Sequence, residues 1–314
     1  MGGRSARTPV AGGGPIEVGG RRLAIGKLDR VLFPRTGTTK ADLLDYYVRI
    51  GDVMLAHLRE RLLHMHRYPE GVEGPRFWQK GCPEHRPAWM PIAPVWSRDK
   101  QATIDYCVVN ELAALLWAVN IGSLELHSSL HTRHDMRRPT TLAFDLDPGE
   151  GVDVLACAAV ALRLRELLGE LGLRALVKTS GSKGLQVYVP LNTEVTYAQT
   201  KPLAKAIAQT LESESPDRVV SRMARAARVG KVLVDWGQNT EHKSMVCAYS
   251  VRAKARPTVS TPVRWEEVEA AVAAGEAPRL VFEMGEVLER VARHGDLFAD
   301  VLSVEQELPQ IARG

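Results

Sequence analysis

The chain has 314 residues, enough to bury a sizeable core without disulfide or metal staples. Hydrophobic residues at 45%, charged residues at 25% and a net charge of +4 are ordinary globular values that admit a polyanionic partner and exclude neither an enzyme nor a binding module. No run approaches the ~18 apolar residues of a membrane span.

In chain order, residues 1–24 are Gly-rich and basic and read as a flexible N-terminal tail with no signal-peptide core. A helix is expected over about residues 40–59, with Thr38 or Thr39 near its cap and Leu43, Tyr46, Tyr47, Ile50 and Met54 as its apolar stripe. The run at 104–121 is mostly apolar and too long for one strand, so it reads as a buried helix. After Pro139 come a short strand closed by Pro-Gly, a helix from about Val152 to Leu171, two strands around the turn in ALVKTSGSKGLQVYVPL, a helix over 197–213, and the strand VLVDW. The irregular alternation predicts an α+β fold with an N-terminal lobe at 25–135, a catalytic lobe at 136–300 and a C-terminal tail at 301–314.

Side chains at i and i+2 of a strand share a face, so Asp145 and Asp147 stand side by side while Phe144 and Leu146 face the core. Such a pair repels itself unless a hard divalent cation lies between, although a turn acid beside a solvated acid gives the same pattern. Asp235, at the polar end of VLVDW, adds a third strand-borne carboxylate and makes a two-metal site plausible, with ions roughly 4 Å apart at the attacking and leaving oxygens. The loop from Lys178 to Gly184 combines glycines, hydroxyls and the cation Lys183, which suits a phosphate and equally a plain hairpin turn.

Four cysteines, Cys82, Cys107, Cys157 and Cys247, lie far apart with no C-x-x-C pair, which points away from disulfides and structural zinc and toward a reducing cytoplasm. His57, His64 and His66 read as solvated or core-edge histidines rather than metal ligands. The run Arg222, Arg225, Arg228 and Lys231 has roughly helical spacing and fits a DNA backbone or a solvated face equally.

Taken together and in order, DLDPG, TSGSKG, VDWGQN and AYSVRAKARPTV, with LDRVLFPRTGTTK, FWQK at 77–80 and LELH ending at His127, resemble the polymerase module of the bacterial end-joining protein ligase D, within the archaeo-eukaryotic primase superfamily. The resemblance runs from about Leu28 to Asp296. It implies a primase-like core of mixed and antiparallel sheets flanked by helices. It also implies two ions, Mn²⁺ or Mg²⁺, at Asp145, Asp147 and Asp235. His127, Ser180, Lys183, Gln238 and Arg252 match positions that hold the incoming NTP or dNTP. Lys40, with Arg30 where the family usually has Lys, matches a pocket for the 5′-phosphate beyond a gap. Phe77 and Trp78, followed by Lys80, match a template contact, and a ring stacked on an unpaired base contributes ~1–3 kcal/mol. A buried aromatic pair is the competing reading of those two rings. The chain departs from the pattern at Gln186, where many relatives have His, and in a short segment between His127 and Asp145.

The implied activity is templated addition of nucleotides, ribonucleotides preferred, at DNA gaps, overhangs or double-strand breaks. Ku and a separate DNA ligase would be its partners, and a cytoplasmic monomer its state. A two-metal nuclease is the enzymatic alternative, and a silent DNA-end-bridging protein is the alternative from another class.

Overall fold

The computed structural model describes residues 14–97 and 100–309. The chain opens with two hairpins, β1 (Gly14–Val18) with β2 (Arg21–Ile25) and β3 (Val31–Phe33) with β4 (Thr38–Thr39), followed by α1 (Lys40–Leu58). Next come β5 (Leu62–Arg67), β6 (Phe77–Gln79), β7 (Ile92–Ser97), β8 (Ala102–Val108), α2 (Leu112–Asn120) and β9 (Ser123–Ser128). The remainder is β10 (Thr141–Pro148), α3 (Val154–Glu170), β11 (Leu176–Thr179), β12 (Leu185–Pro190), α4 (Tyr197–Glu214), β13 (Val219–Val220), β14 (Val232–Asp235), β15 (Met245–Val246), β16 (Pro262–Val263), α5 (Trp265–Ala274) and α6 (Met284–His294).

Two larger sheets organise these α+β elements. One has strand order β13-β14-β10-β12-β11-β16, antiparallel except for the β13–β14 pair. The other runs β15-β9-β5-β8-β7, with β6 added on β5. The late strand β15 thus completes the sheet built from the first half of the chain. On the first sheet, Phe144, Leu146, Val187, Val189, Val232 and Val234 are buried in one core with residues of α3 and α4 such as Leu164 and Ile207. Each such burial stabilises by roughly 1.5–3 kcal/mol, which offsets the repulsion carried on the opposite face.

Thr39 caps α1 reciprocally with Asp42, and Leu43, Tyr46, Tyr47, Ile50 and Met54 are all buried, as the periodicity predicts. The run at 104–121 is instead divided: β8 ends at Val108 and α2 begins at Leu112. Pairing with β7 holds Ile104, Tyr106 and Cys107 extended, and the Asn110 side chain accepts from Glu60 N (2.8 Å) at the break. Tertiary pairing overrides the length argument here.

Three further expectations are corrected. From Gly14 onward the presumed N-terminal tail is the β1–β2 hairpin, with Leu23 and Ile25 buried; residues 1–13 lie outside the described residues. The presumed C-terminal tail is anchored where Val301 is buried and Gln306 Nε2 donates to Pro190 O (2.7 Å) and Arg174 O (3.0 Å); residues 310–314 lie outside the described residues. Cys82 and Cys107 form a disulfide, because Cys82 N donates to Asp105 O (2.6 Å) and brings the two Cα atoms to 4.8 Å. Sheet pairing created that neighbourhood, so spacing could not reveal it. Among the described residues, no helix is long and apolar enough to cross a membrane.

Candidate active site

The two-residue period of β10 and β14 puts Asp145, Asp147 and Asp235 on the sheet face opposite the α3–α4 core. Asp145 is the direct cross-strand partner of Asp235. Asp145 Oδ1 accepts from Gln186 Nε2 (3.0 Å), and Asp235 accepts from Gly237 N (2.7 Å) and Gln238 Nε2 (2.7 Å). Burial, then the charge of Asp147, raises the Asp145 carboxyl well above the usual carboxylate range. Burial and the charge of Asp235 raise Asp147 as well. Acids that resist ionisation because of one another are a donor set for a hard divalent cation. As the side chains stand, no group of three or more His, Cys, Asp and Glu among the described residues is disposed to hold a metal. Both oxygens of Asp235 and Oδ1 of Asp145 are turned to the protein's own donors, so ligation through Asp235 would require an exchange of partners, whereas the second oxygen of Asp145 has no such donor among the described residues.

The turn between β11 and β12 follows the same face. Ser180 Oγ accepts from Ser182 N (3.2 Å) and Gly184 N (3.1 Å), so this hydroxyl closes the loop. Gly184 has no room for a side chain, since a Cβ there would lie 1.9 Å from Leu146 O, and Gly181 takes φ +64. Gly184 presses the loop against the carboxylate strand, and Gly181 lets it close on the backbone of Val259 and Ser260. Lys183 is exposed at its tip, and a cleft of about 320 Å³ beside it is lined by Pro148, Asp153, Ser182 and Val281.

Arg252 Nη1 donates to Ser180 O (2.5 Å), tying the loop to the second sheet. Arg252 Nε lies 3.2 Å from Glu125 Oε1 without an aligned hydrogen bond. Glu125, a buried residue of β9, also accepts from His127 Nε2 (3.2 Å) and Ala253 N (3.0 Å), with His66 Nδ1 at 3.5 Å. Burial alone would raise Glu125, but the hydrogen bonds from His127 and His66 and the Arg252 charge hold it well below the usual range. Burial pushes His127 down to about 4 despite Glu125. The result is a fixed carboxylate that orients a neutral imidazole and a guanidinium. Glu125 was not singled out from sequence; its i, i+2 spacing to His127 on an apolar strand was the available signal. Lys254, whose pKa is lowered by burial and by Arg252, joins Arg228 and Arg252 as a cation acting on Asp147 and was passed over.

Trp78 packs edge-on against His127, with ring centres 4.7 Å apart. Phe77 and Trp78 are 45% and 43% exposed, which overturns the buried-pair reading, and Arg67 lies over the Phe77 ring. Lys80 is exposed just beyond them. Arg30 and Lys40 line a separate cleft of about 180 Å³ together with Lys27, Asn120 and Gly122. There Lys40 Nζ donates to Gly26 O (2.8 Å) and Asn120 Oδ1 (2.6 Å), and Arg30 donates to Pro69 O (2.5 Å). Burial, then Arg30 and Lys27, lowers Lys40 to about 8. Of the basic run, Arg225–Arg228 form a short 3₁₀ turn. His57 is buried on Asp296 (2.8 Å) and His64 is buried on β5, so both are core residues rather than solvated ones.

A family model described as the LigD primase-polymerase domain matches residues 39–298. The multifunctional non-homologous end joining protein LigD of Mycobacterium bovis is 38% identical over 288 residues, covering 88% of this chain and 36% of the relative. The bifunctional LigD of Bacillus subtilis is 30% identical over 289 residues, covering 92% of this chain and 45% of the relative. The chain therefore spans less than half the length of these curated relatives. The solved polymerase domain of Mycobacterium tuberculosis ligase D, in complex with DNA, superposes with a TM-score of 0.82 at 37% identity, covering 90% of this chain and 98% of that one.

Proposed function

The chain belongs to the LigD primase-polymerase domain family of nucleotidyltransferases, and from that premise we propose that it extends a primer 3′ end opposite a DNA template, at the gaps, overhangs or double-strand breaks handled by end joining. The observation that carries this reading is the adjacency of the paired carboxylates Asp145 and Asp235 to a glycine-tight loop clamped by Arg252. A nuclease would need the acids but not the cationic grip. Asp145 and Asp147 would hold two divalent ions, Mn²⁺ or Mg²⁺, with Asp235 joining at the one nearer the primer. Bound there, the ions would activate the primer hydroxyl and stabilise the departing pyrophosphate.

The chain's own residues supply the rest. Arg252, Lys183 and His127, with the loop amides around Ser180, present donors to a triphosphate. Gln238, which donates to Asp235, would read the sugar, and a preference for ribonucleotides is part of the proposal. Arg30 and Lys40 would take the 5′-phosphate beyond the gap, while Phe77, Trp78 and Lys80 would support the template. Ku and a separate DNA ligase are the proposed partners of a monomeric chain.

The test is extension of a labelled primer across a short gap bearing a 5′-phosphate, with each NTP and dNTP and Mn²⁺, for wild type and Asp145→Ala/Asp147→Ala. Templated extension by wild type alone supports the proposal, and the NTP-to-dNTP ratio reads the sugar preference. DNA bound but left unextended would move the reading to an end-bridging protein.

A further inference from the structure

Asp145, Gln186 and Lys178 are consecutive cross-strand neighbours on β10, β12 and β11. Gln186 is buried between the other two, and its Nε2 donates to Asp145 Oδ1 (3.0 Å). A glutamine can present either end of its amide, since oxygen and nitrogen are nearly the same size. Here Lys178 decides which. Its ammonium, 1% exposed, meets three acceptors: Val246 O (3.0 Å), Ser260 Oγ (2.7 Å) and Gln186 Oε1. Ser260 gives its own hydrogen to Thr179 O (2.9 Å) and can only accept from Lys178. An ammonium has three donors and no acceptor, so all three are used. Gln186 must therefore turn Oε1 to Lys178 and its NH₂ to Asp145.

We infer that Lys178 is a positioning residue which, acting through Gln186, keeps one oxygen of Asp145 capped by a neutral donor and leaves the other for a divalent ion. No carboxylate lies within ion-pair distance of Lys178 among the described residues, so an ion pair does not account for its burial. Partners one step beyond a ligand commonly change metal affinity by about 10–100-fold. A row running laterally across one sheet has little freedom to relax, because the ladder fixes the spacing of all three side chains.

The inference rests on the reading of Asp145 as a metal ligand, and the experiment separates the two. Mn²⁺ binding is measured by electron paramagnetic resonance and calorimetry, without nucleotide or DNA, for wild type, Lys178→Met, Gln186→Met, the double variant and Asp145→Ala/Asp147→Ala. Thermal unfolding and binding to DNA with a 5′-phosphate report that each variant is folded. Both single variants should bind Mn²⁺ about tenfold or more weakly, and the double variant should be no weaker than Gln186→Met, because the two residues act in series. Unchanged affinity in Lys178→Met, or fully additive losses, overturns the positioning role alone. Wild-type protein that binds Mn²⁺ no better than Asp145→Ala/Asp147→Ala overturns the metal reading and this inference together.

Discussion

Asp145 and Asp235 face each other directly across the antiparallel β10–β14 ladder, with Asp147 two residues farther along the same face. Like charges opposed in a ladder destabilise by roughly 0.2–1 kcal/mol, and burial enlarges the effect. The Asp145 carboxyl is raised above its unfolded value, so its contribution to stability is present at low pH and lost as pH rises. Asp145→Asn should therefore raise the melting temperature in EDTA at neutral pH, by about 2 °C or more, while abolishing primer extension. With Mn²⁺ the order should reverse, since only wild type gains from binding. Calorimetry in both buffers checks this, and a lower midpoint for the variant in EDTA would mean that the face stores no repulsion.

Glu125 is the common anchor of His127 and Arg252, so its charge should govern nucleotide binding. Glu125→Gln keeps the shape and removes the charge that opposes the Arg252 guanidinium. Breaking a buried pair from one side typically costs about 3–5 kcal/mol, part of which will appear as lost stability in urea. The kinetic expectation is a KM for nucleotide raised about tenfold with a smaller change in kcat, measured at saturating DNA. Equal losses in kcat and kcat/KM would instead assign Glu125 to the chemical step.

Three histidines whose imidazoles are held neutral by their surroundings, His64, His127 and His131, predict the acid limb of stability. Burial lowers His64 to about 3, His127 to about 4 and His131 to about 4. Each folded value lies below the ordinary unfolded value near 6.5, so the unfolded chain binds more protons between them. The stability they confer is present above pH ~6.5 and falls as pH drops toward 4. Urea midpoints from pH 7 to 4.5 should decline steadily, and His64→Phe, which fits beside Tyr106 and Trp78, should flatten the slope. A slope unchanged by that substitution would leave the acid limb to other groups.

The features legible in sequence were those carried by local periodicity. The i, i+2 alternation in FDLDPG put Asp145 and Asp147 on one face, and the apolar stripe from Leu43 to Met54, with Thr38 or Thr39 near its cap, located α1. What was missed depends on which strands become neighbours. Glu125 gains its meaning from Arg252, 127 residues later, and Lys178 from Gln186 and Val246. The Cys82–Cys107 bond and the division of 104–121 into β8 and α2 likewise follow from pairing within one sheet. Register is a global property, and a single strand's composition does not encode its neighbour.

The cleft of Lys27, Arg30 and Lys40 offers a pH test of its own. Three cations gathered around a partly enclosed space repel one another, and Lys40 falls to about 8 because burial and its neighbours disfavour its charge. A bound 5′-phosphate would reverse that balance, restoring the proton and gaining a charge-assisted hydrogen bond to Nζ. The affinity ratio for gapped DNA with a 5′-phosphate over a 5′-hydroxyl should thus be large at pH 7 and shrink as pH rises past about 8. Binding near pH 8 should take up protons, seen as a calorimetric enthalpy that varies with the ionisation heat of the buffer. Lys40→Met should bring the ratio close to one and remove both the pH step and the proton uptake, leaving binding to the 5′-hydroxyl substrate nearly unchanged. If Lys40→Met instead weakens both substrates equally, the cleft contacts the DNA backbone generally and does not select the phosphorylated end.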